Sequence, residues 1–258
     1  MKMQHAKHQY ETEGYLIYRD VIDKALADET RNHVFWLLEQ HPESRPEQLH
    51  HNMLVNDPFM WRLAGDDRLL DIASQFIGEE VALFAAHYIA KAPKTGQKVL
   101  WHQDGSYWPL EPMEVVTLWL AATPSTPENG CMRIIPGTHR ESLVSWEELR
   151  QHDDGDNVLG SGLDPKSIDD ATAIDLNLQA GDVSIHNPNI IHGSDANFSD
   201  QWRIGLTLRY IPVTTKILNN DHPAILFRGK AREGINVYAP KPIFDPKKHF
   251  IFNGWEAF

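Results

Sequence analysis

From Val81 onward the chain is a succession of short runs rich in β-branched and aromatic residues, separated by Gly, Pro and Asn: 81–91, 99–104, 115–122, 131–135, 182–186 and 203–211. Runs of this length with turn residues between them, and no helical period intervening, build antiparallel sandwiches or barrels rather than alternating α/β sheets. The expected fold is therefore mainly β with flanking helices, its core a double-stranded β-helix, the cupin-like jelly-roll. Upstream, Glu13-Gly14-Tyr15-Leu16-Ile17-Tyr18 reads as a short strand after a glycine. Asp23 suits the N-cap of a helix in which Leu26, Thr30, Val34, Leu37 and Leu38 recur near helical spacing before Pro42 stops it. A second helix is expected over 67–76, ended by Gly78.

A β-rich chain of 258 residues folds readily as one unit, so a single domain over 1–258 is expected. The Gly/Asp/Ser-rich stretch 151–170 fits neither period and reads as a loop or lid. The tail 219–258, with Pro223, Pro240, Pro242 and Pro246 among aromatics, reads as an irregular wrap around the barrel. A net charge of -12 and the absence of a dense Lys/Arg cluster argue against nucleic acid as a partner. The lone Cys131 excludes an internal disulfide framework, and no apolar run is long enough for a leader or membrane span. A reducing cytoplasm is the expected address, and a small molecule the expected partner.

His102-Gln103-Asp104 closes one of the predicted strands. Residues i and i+2 of a strand share a side, so an imidazole and a carboxylate can there face one metal. Two histidines and a carboxylate on one face leave positions open for a co-substrate and O2, the arrangement of non-haem Fe(II) oxygenases. His192 is the candidate third ligand, and Arg203, eleven residues later, can grip a carboxylate such as the far end of 2-oxoglutarate. Each half of the pattern has decoys in this histidine-rich chain. His152-Asp153-Asp154 repeats the first half, and His8/Arg19, His51/Arg62 and His139/Arg150 repeat the spacing of the second. Only His102, Asp104, His192 and Arg203 occur in order with strand texture at each site.

Trp101-His102-Gln103-Asp104, Thr117-Leu118-Trp119, the stretch Asn129-Gly130-Cys131-Met132-Arg133-Ile134-Ile135-Pro136-Gly137-Thr138-His139, His192-Gly193-Ser194 and Arg203 together resemble the phytanoyl-CoA dioxygenase family. The resemblance runs from Gly14 to Pro212. It implies a jelly-roll core, Fe(II) at His102, Asp104 and His192, and 2-oxoglutarate held by Arg203 with help from Gln103, Thr117, Trp119 and Ser194. O2 is then the oxidant, and succinate and CO2 the by-products of hydroxylating an unactivated C–H bond. Halogenases of the family replace the carboxylate ligand by a small residue, so Asp104 favours hydroxylation.

Other residues divide between site and scaffold. Alternation from Arg203 places Gly205, Thr207 and Arg209 on the same side, so Arg209 either faces the interior, where an anionic substrate group would pair it, or is a salt-bridged structural arginine. Tyr107 and Trp108 either wall the substrate pocket or pack beside it. His186 reads as structural, His139 as a hydrogen-bonding loop residue, Cys131 as a small core residue. His87 and Lys91 share a strand face that borders either the pocket or solvent. The expected substrate is a small polar metabolite, an amino acid, phosphonate or similar organic acid. Rival readings are an oxygenase of an acyl-CoA or a secondary-metabolite intermediate, a zinc hydrolase using the same ligands, and a non-catalytic jelly-roll that binds metal or ligand.

Overall fold

A computed structural model of the chain describes residues 3–219 and 223–258. The strands that carry its architecture are β1 (Tyr15–Tyr18), β2 (Val81–Lys91), β3 (Val99–His102), β4 (Val116–Ala121), β5 (Arg133–Ile134), β6 (Ile174–Asp175), β7 (Val183–His186), β8 (His192–Ser194), β9 (Arg203–Pro212) and β10 (Ile225–Leu226). The larger sheet runs β1-β7-β4-β9-β2-β10, with Leu49–His50 also paired to β2, and the smaller runs β3-β8-β5-β6. All these pairings are antiparallel. The mainly β expectation holds, with helices confined to the N-terminal third apart from one short turn of helix at Trp146–Leu149.

Strand β9 explains the layering. Its residues Ile204, Leu206, Leu208 and Tyr210 are fully buried in the main apolar cluster, alongside Leu26, Val34, Leu63, Leu69 and Ala73 from the helices. Period-two alternation then turns Arg203, Gly205, Thr207 and Arg209 to the opposite face, between the sheets. The same register continues sideways: Val116, Leu118 and Leu120 of β4 join the helix-side cluster, whereas Trp119 and Ala121 belong to a separate cluster with Met132 and Ile134.

The helices are α1 (Met3–Glu13), α2 (Lys24–Gln40), α3 (Pro58–Ala64) and α4 (Asp67–Ile77), besides a single turn at His51–Leu54. Asp23 caps α2 as expected, accepting from the Leu26 amide at 3.0 Å. Gly78, with φ 86°, ends α4 in a conformation glycine adopts without strain. Helices α1 and α3 add to the sequence reading. Asp57 caps α3 through the Met60 amide at 2.7 Å with Pro58 at the first helical position, a start signal legible in the sequence.

The stretch 151–170 has only short 3-10 turns, as a loop should, and it is fastened at several points. Lys98 pairs with Asp154 at 2.6 Å, the Leu163 amide donates to the Trp101 carbonyl at 2.7 Å, and Arg133 holds Asp170 at 2.8 Å. The described part of the tail is irregular apart from a 3-10 turn at Trp255–Ala257 and β10, which joins the edge of the larger sheet. Farther on, Phe250 and Phe252 pack against Phe59 at ring separations of 5.3 and 5.6 Å. Positions 220–222 of that tail lie outside the described residues. Among the described residues, no helix is long and apolar enough to cross a membrane.

Candidate active site

Strands β3 and β8 pair so that His192 sits opposite His102, with ring centroids 4.1 Å apart. The strand ends at His102, so Asp104 opens a 3-10 turn (Asp104–Tyr107) rather than closing the strand as the i, i+2 argument supposed. The turn still returns its carboxylate to the histidines: His102 Nε2 is 3.5 Å from Asp104 Oδ1. The three residues are buried and each offers one ligand atom, all within 4.8 Å of one another.

Both imidazoles are oriented by their own backbone. His102 Nδ1 lies 2.8 Å from the Leu100 carbonyl and His192 Nδ1 3.0 Å from the Ile190 carbonyl. A carbonyl only accepts, so Nδ1 carries the proton and Nε2 is left as the ligand atom. Burial, then the neighbouring His102, holds the His192 imidazole well below its usual range, which keeps it neutral. Burial alone would raise the Asp104 carboxyl; Arg209, with the surrounding histidines, overrides it and holds the group well below the usual carboxylate range. Two imidazoles that present Nε2 and an ionised carboxylate are a donor set that fits a divalent transition metal.

A small cavity of about 50 Å³ opens beside this triad. Its wall includes Trp119, Ser194, Arg203, Thr207 and Arg209. Arg203 is 2% exposed and donates to the Ile89 carbonyl at 3.0 Å, but its Nε has no partner and, among the described residues, no carboxylate forms an ion pair with it. Burial pulls the guanidinium down to about 10. It lies 5.4 Å from the Trp119 ring. That indole occupies the space above Gly205, where any Cβ would fall inside the ring, so glycine is required there. Beside Arg203, the fully buried Lys91 donates from Nζ to Ser194 Oγ at 2.7 Å and to the Asp195 carbonyl. A guanidinium with no ion-paired carboxylate among the described residues, with the Lys91 amine and a hydroxyl next to it, fits the distal carboxylate of a dicarboxylic acid.

The sequence therefore places His102, Asp104, His192, Trp119, Ser194, Arg203 and Arg209 around one cavity. Other assignments change. Gln103 faces away: its amide donates to the Asn189 carbonyl at 2.8 Å and accepts from the Val144 amide at 3.0 Å, clasping two loops rather than lining the cavity. Tyr107 bonds Ser161 at 2.8 Å and packs with Ile135, Leu149 and Leu163, outside the wall. Trp108 lies behind the wall too, stacked 5.1 Å from the Arg209 guanidinium. Thr117 sits between His186 and Arg209 in the sheet, one residue pair farther along than Trp119.

Arg209 is interior, 11% exposed, with Nε 4.0 Å from Asp104 Oδ2. His186 is not merely structural. It lines the cavity, its Nε2 is 3.6 Å from Asp104 Oδ2, and both ring nitrogens lack hydrogen-bond partners. His87 borders the cavity and Lys91 is buried, which excludes the solvent-facing alternative for both. His139 bonds the Glu11 carbonyl at 3.1 Å and Cys131 is buried, as expected. Lys91 was reachable from sequence only through strand period, four residues beyond His87 on the same face.

Comparison with known proteins follows these residues. The family model for phytanoyl-CoA dioxygenase (PhyH) matches residues 10–205. A phytanoyl-CoA dioxygenase of Arabidopsis thaliana is 26% identical over 189 residues, 73% of this chain and 63% of that protein. The chain spans 56% and 52% of two similar Caenorhabditis elegans proteins. Ectoine dioxygenase of Sphingopyxis alaskensis is 25% identical over 81% of this chain and 75% of its own length. Among solved structures, the non-heme monooxygenase ThoJ superposes with a TM-score of 0.77 at 21% identity, covering 91% of this chain and 87% of its own. The epimerase SnoN, in complex with Fe3+, alpha ketoglutarate and nogalamycin RO, gives 0.69 at 19% identity over 95% of this chain and 96% of its own. These structural likenesses establish the jelly-roll fold. With its family model covering most of the sequence, the chain belongs to the phytanoyl-CoA dioxygenase family and takes that family's cofactors, Fe(II) and 2-oxoglutarate.

Proposed function

We propose that this protein is an Fe(II)- and 2-oxoglutarate-dependent dioxygenase that hydroxylates an unactivated C–H bond of a small polar metabolite, an amino acid, phosphonate or similar organic acid. The carrying observation is that His102, Asp104 and His192 converge at one cavity whose wall also holds Arg203, a buried cation with an unpartnered Nε and no ion-paired carboxylate among the described residues. Iron with 2-oxoglutarate supplies the oxidising power: one O2 is consumed, one oxygen atom entering the C–H bond and the other the succinate formed with CO2.

The chain's own part is to bind, orient and exclude water. His102, Asp104 and His192 hold the metal from one side, and the Nδ1 bonds to Leu100 and Ile190 keep both rings aimed. Arg203, with Lys91 and Ser194 beside it, holds the distal carboxylate of the co-substrate. Trp119 packs across that guanidinium, and Val99, Met132 and Leu159 keep this end of the cavity apolar. Leu159 comes from the loop 151–170, which supports a lid role for that loop.

A small substrate is favoured over a CoA thioester by the net charge of -12 without a basic patch. The similarity to an ectoine dioxygenase points the same way. Anaerobic titration of the purified protein with Fe(II) and 2-oxoglutarate tests the reading: a metal-to-ligand charge-transfer band is expected, and substrate-stimulated succinate release in air. Absence of the band would return the site to a zinc hydrolase or a binding module.

A further inference from the structure

Three neighbouring strands of the larger sheet place His186, Thr117 and Arg209 in a single row, with Thr117 paired to His186 on one side and to Arg209 on the other. Residues in such a row point to the same face, with Cβ atoms about 5 Å apart. Here that face is the interior. His186 is 1% and Thr117 0% exposed, and Arg209 11%. Polar atoms of all three lack hydrogen-bond partners: both ring nitrogens of His186, Oγ1 of Thr117 and Nε of Arg209. In the adjacent row Ser184 Oγ is also unpartnered, but the half beyond Trp119 is satisfied. There Thr207 donates to the His87 carbonyl at 3.0 Å, and His87 Nε2 lies 2.7 Å from the Glu47 carbonyl. An unpaired buried polar group costs about 1–3 kcal/mol, so three side by side call for a ligand.

The charges identify its sign. Arg203 and Lys91 lie together with Ser194 and are matched by the distal carboxylate of the co-substrate and by the nearby Glu47 and Asp195. A divalent metal is matched by Asp104 and the 2-oxo acid end of the co-substrate. Arg209 has Asp104 as its one ion-pair neighbour among the described residues, at 4.0 Å, and a ligated carboxylate no longer offers it a full charge. Arg209 is thus the cation whose one carboxylate neighbour is shared with the metal. Trp108 lies with its ring centroid 5.1 Å from the guanidinium carbon, and the strand neighbour of Arg209 opposite Thr117 is the small Ala85.

We propose that His186, Thr117 and Arg209 form a second anion subsite, which receives a carboxylate of the substrate and positions its C–H bond toward the metal. Arg209 supplies the charge and a planar fork, Thr117 a hydroxyl, and His186 a ring N–H. This subsite is distinct from the Arg203 grip on the co-substrate, and it rests on the dioxygenase reading above. It also reassigns Thr117 from co-substrate to substrate.

The test uses the full chain loaded with Ni(II) and saturated with 2-oxoglutarate, titrated calorimetrically with short monocarboxylic acids and α-amino acids, each paired with its primary amide. At least one acid is expected to bind about tenfold or more tightly than its amide, the scale of a charge-assisted hydrogen bond. Arg209→Gln should reduce the acid to the level of its amide, Arg209→Lys should retain part of the preference, and Thr117→Val should weaken the acid by a few-fold, roughly one neutral hydrogen bond. Circular dichroism verifies folding of each variant, and the lysine variant carries the test if the glutamine variant fails to fold. The proposal is overturned if no acid on the panel binds, if acids and amides bind alike, or if Arg209→Gln keeps the preference. A charge-transfer band in the wild-type Fe(II) complex separates the two levels: with the band present, such results remove only the subsite, whereas without it the dioxygenase reading falls as well.

Discussion

The two faces of strand β9 do opposite work. Toward the helices it presents Ile204, Leu206, Leu208 and Tyr210, all fully buried, with the Tyr210 hydroxyl satisfied by the Ala64 carbonyl at 2.8 Å. Toward the cavity it presents Arg203, Gly205, Thr207 and Arg209, where two guanidiniums keep an unpartnered Nε. Alternation along one strand thus sets apolar packing against poised polarity a single residue away. The outer face stabilises the sheet, and the inner face is held in place at a cost that only bound ligands offset.

That contrast can be broken by substitution on either face. The largest effect is expected at the triad: His102→Ala or Asp104→Ala should reduce metal-dependent succinate release by a factor of about a thousand or more, while the urea midpoint moves little. Unchanged hydroxylation by Asp104→Ala would end the triad assignment. On the outer face, Leu206→Ala should destabilise by about 2–5 kcal/mol and leave 2-oxoglutarate affinity near that of the parent. A variant that lost co-substrate binding without losing stability would contradict the division of labour. Arg203→Ala, on the inner face, should weaken 2-oxoglutarate about 10- to 100-fold in the charge-transfer titration, with iron affinity less affected.

Per pH unit, the last effect is the smallest. Burial, with His50 and Arg209 nearby, lowers His87 from its usual value of 6.5 to about 3. Between those values the unfolded chain binds a proton that the folded chain refuses, so stability falls as pH drops through this window. The slope is at most about 1.4 kcal/mol per pH unit. His87→Gln should flatten the urea midpoint over that window, and an unaltered slope would assign the acid sensitivity to other groups.

What the sequence disclosed followed from local rules. Strand texture and the order His102, Asp104, His192, Arg203 pointed to the site, and period two put Arg209 on the side of Arg203 while leaving a structural arginine as the alternative. Adjacency in sequence was a poorer guide. Gln103, Tyr107 and Trp108 flank the metal motif, yet the 3-10 turn that starts at Asp104 rotates them into loops and neighbouring clusters. Strand period alone does not decide between pocket and scaffold for Lys91 and His186, because their partners are distant in sequence: Lys91 meets Ser194 from 103 residues away, and His186 gains its place from pairing with Thr117. Helix α1 escaped because His, Lys, Gln and Glu dominate it and only Ala6 is fully buried, which blurs the apolar stripe.

Gly205 and Trp119 bear on how such an enzyme can diversify. The indole occupies the volume of a missing side chain on the adjacent strand, so the two positions share one space rather than holding one each. An enlarged residue at 205 is tolerable only with a smaller ring at 119, and the cost of the pair should be far from the sum of the single changes. Descendants of this chain that reshape the co-substrate end are therefore constrained to exchange both residues jointly. In a lineage of homologues, that constraint would surface as correlated replacement across two strands more than 80 residues apart in the chain.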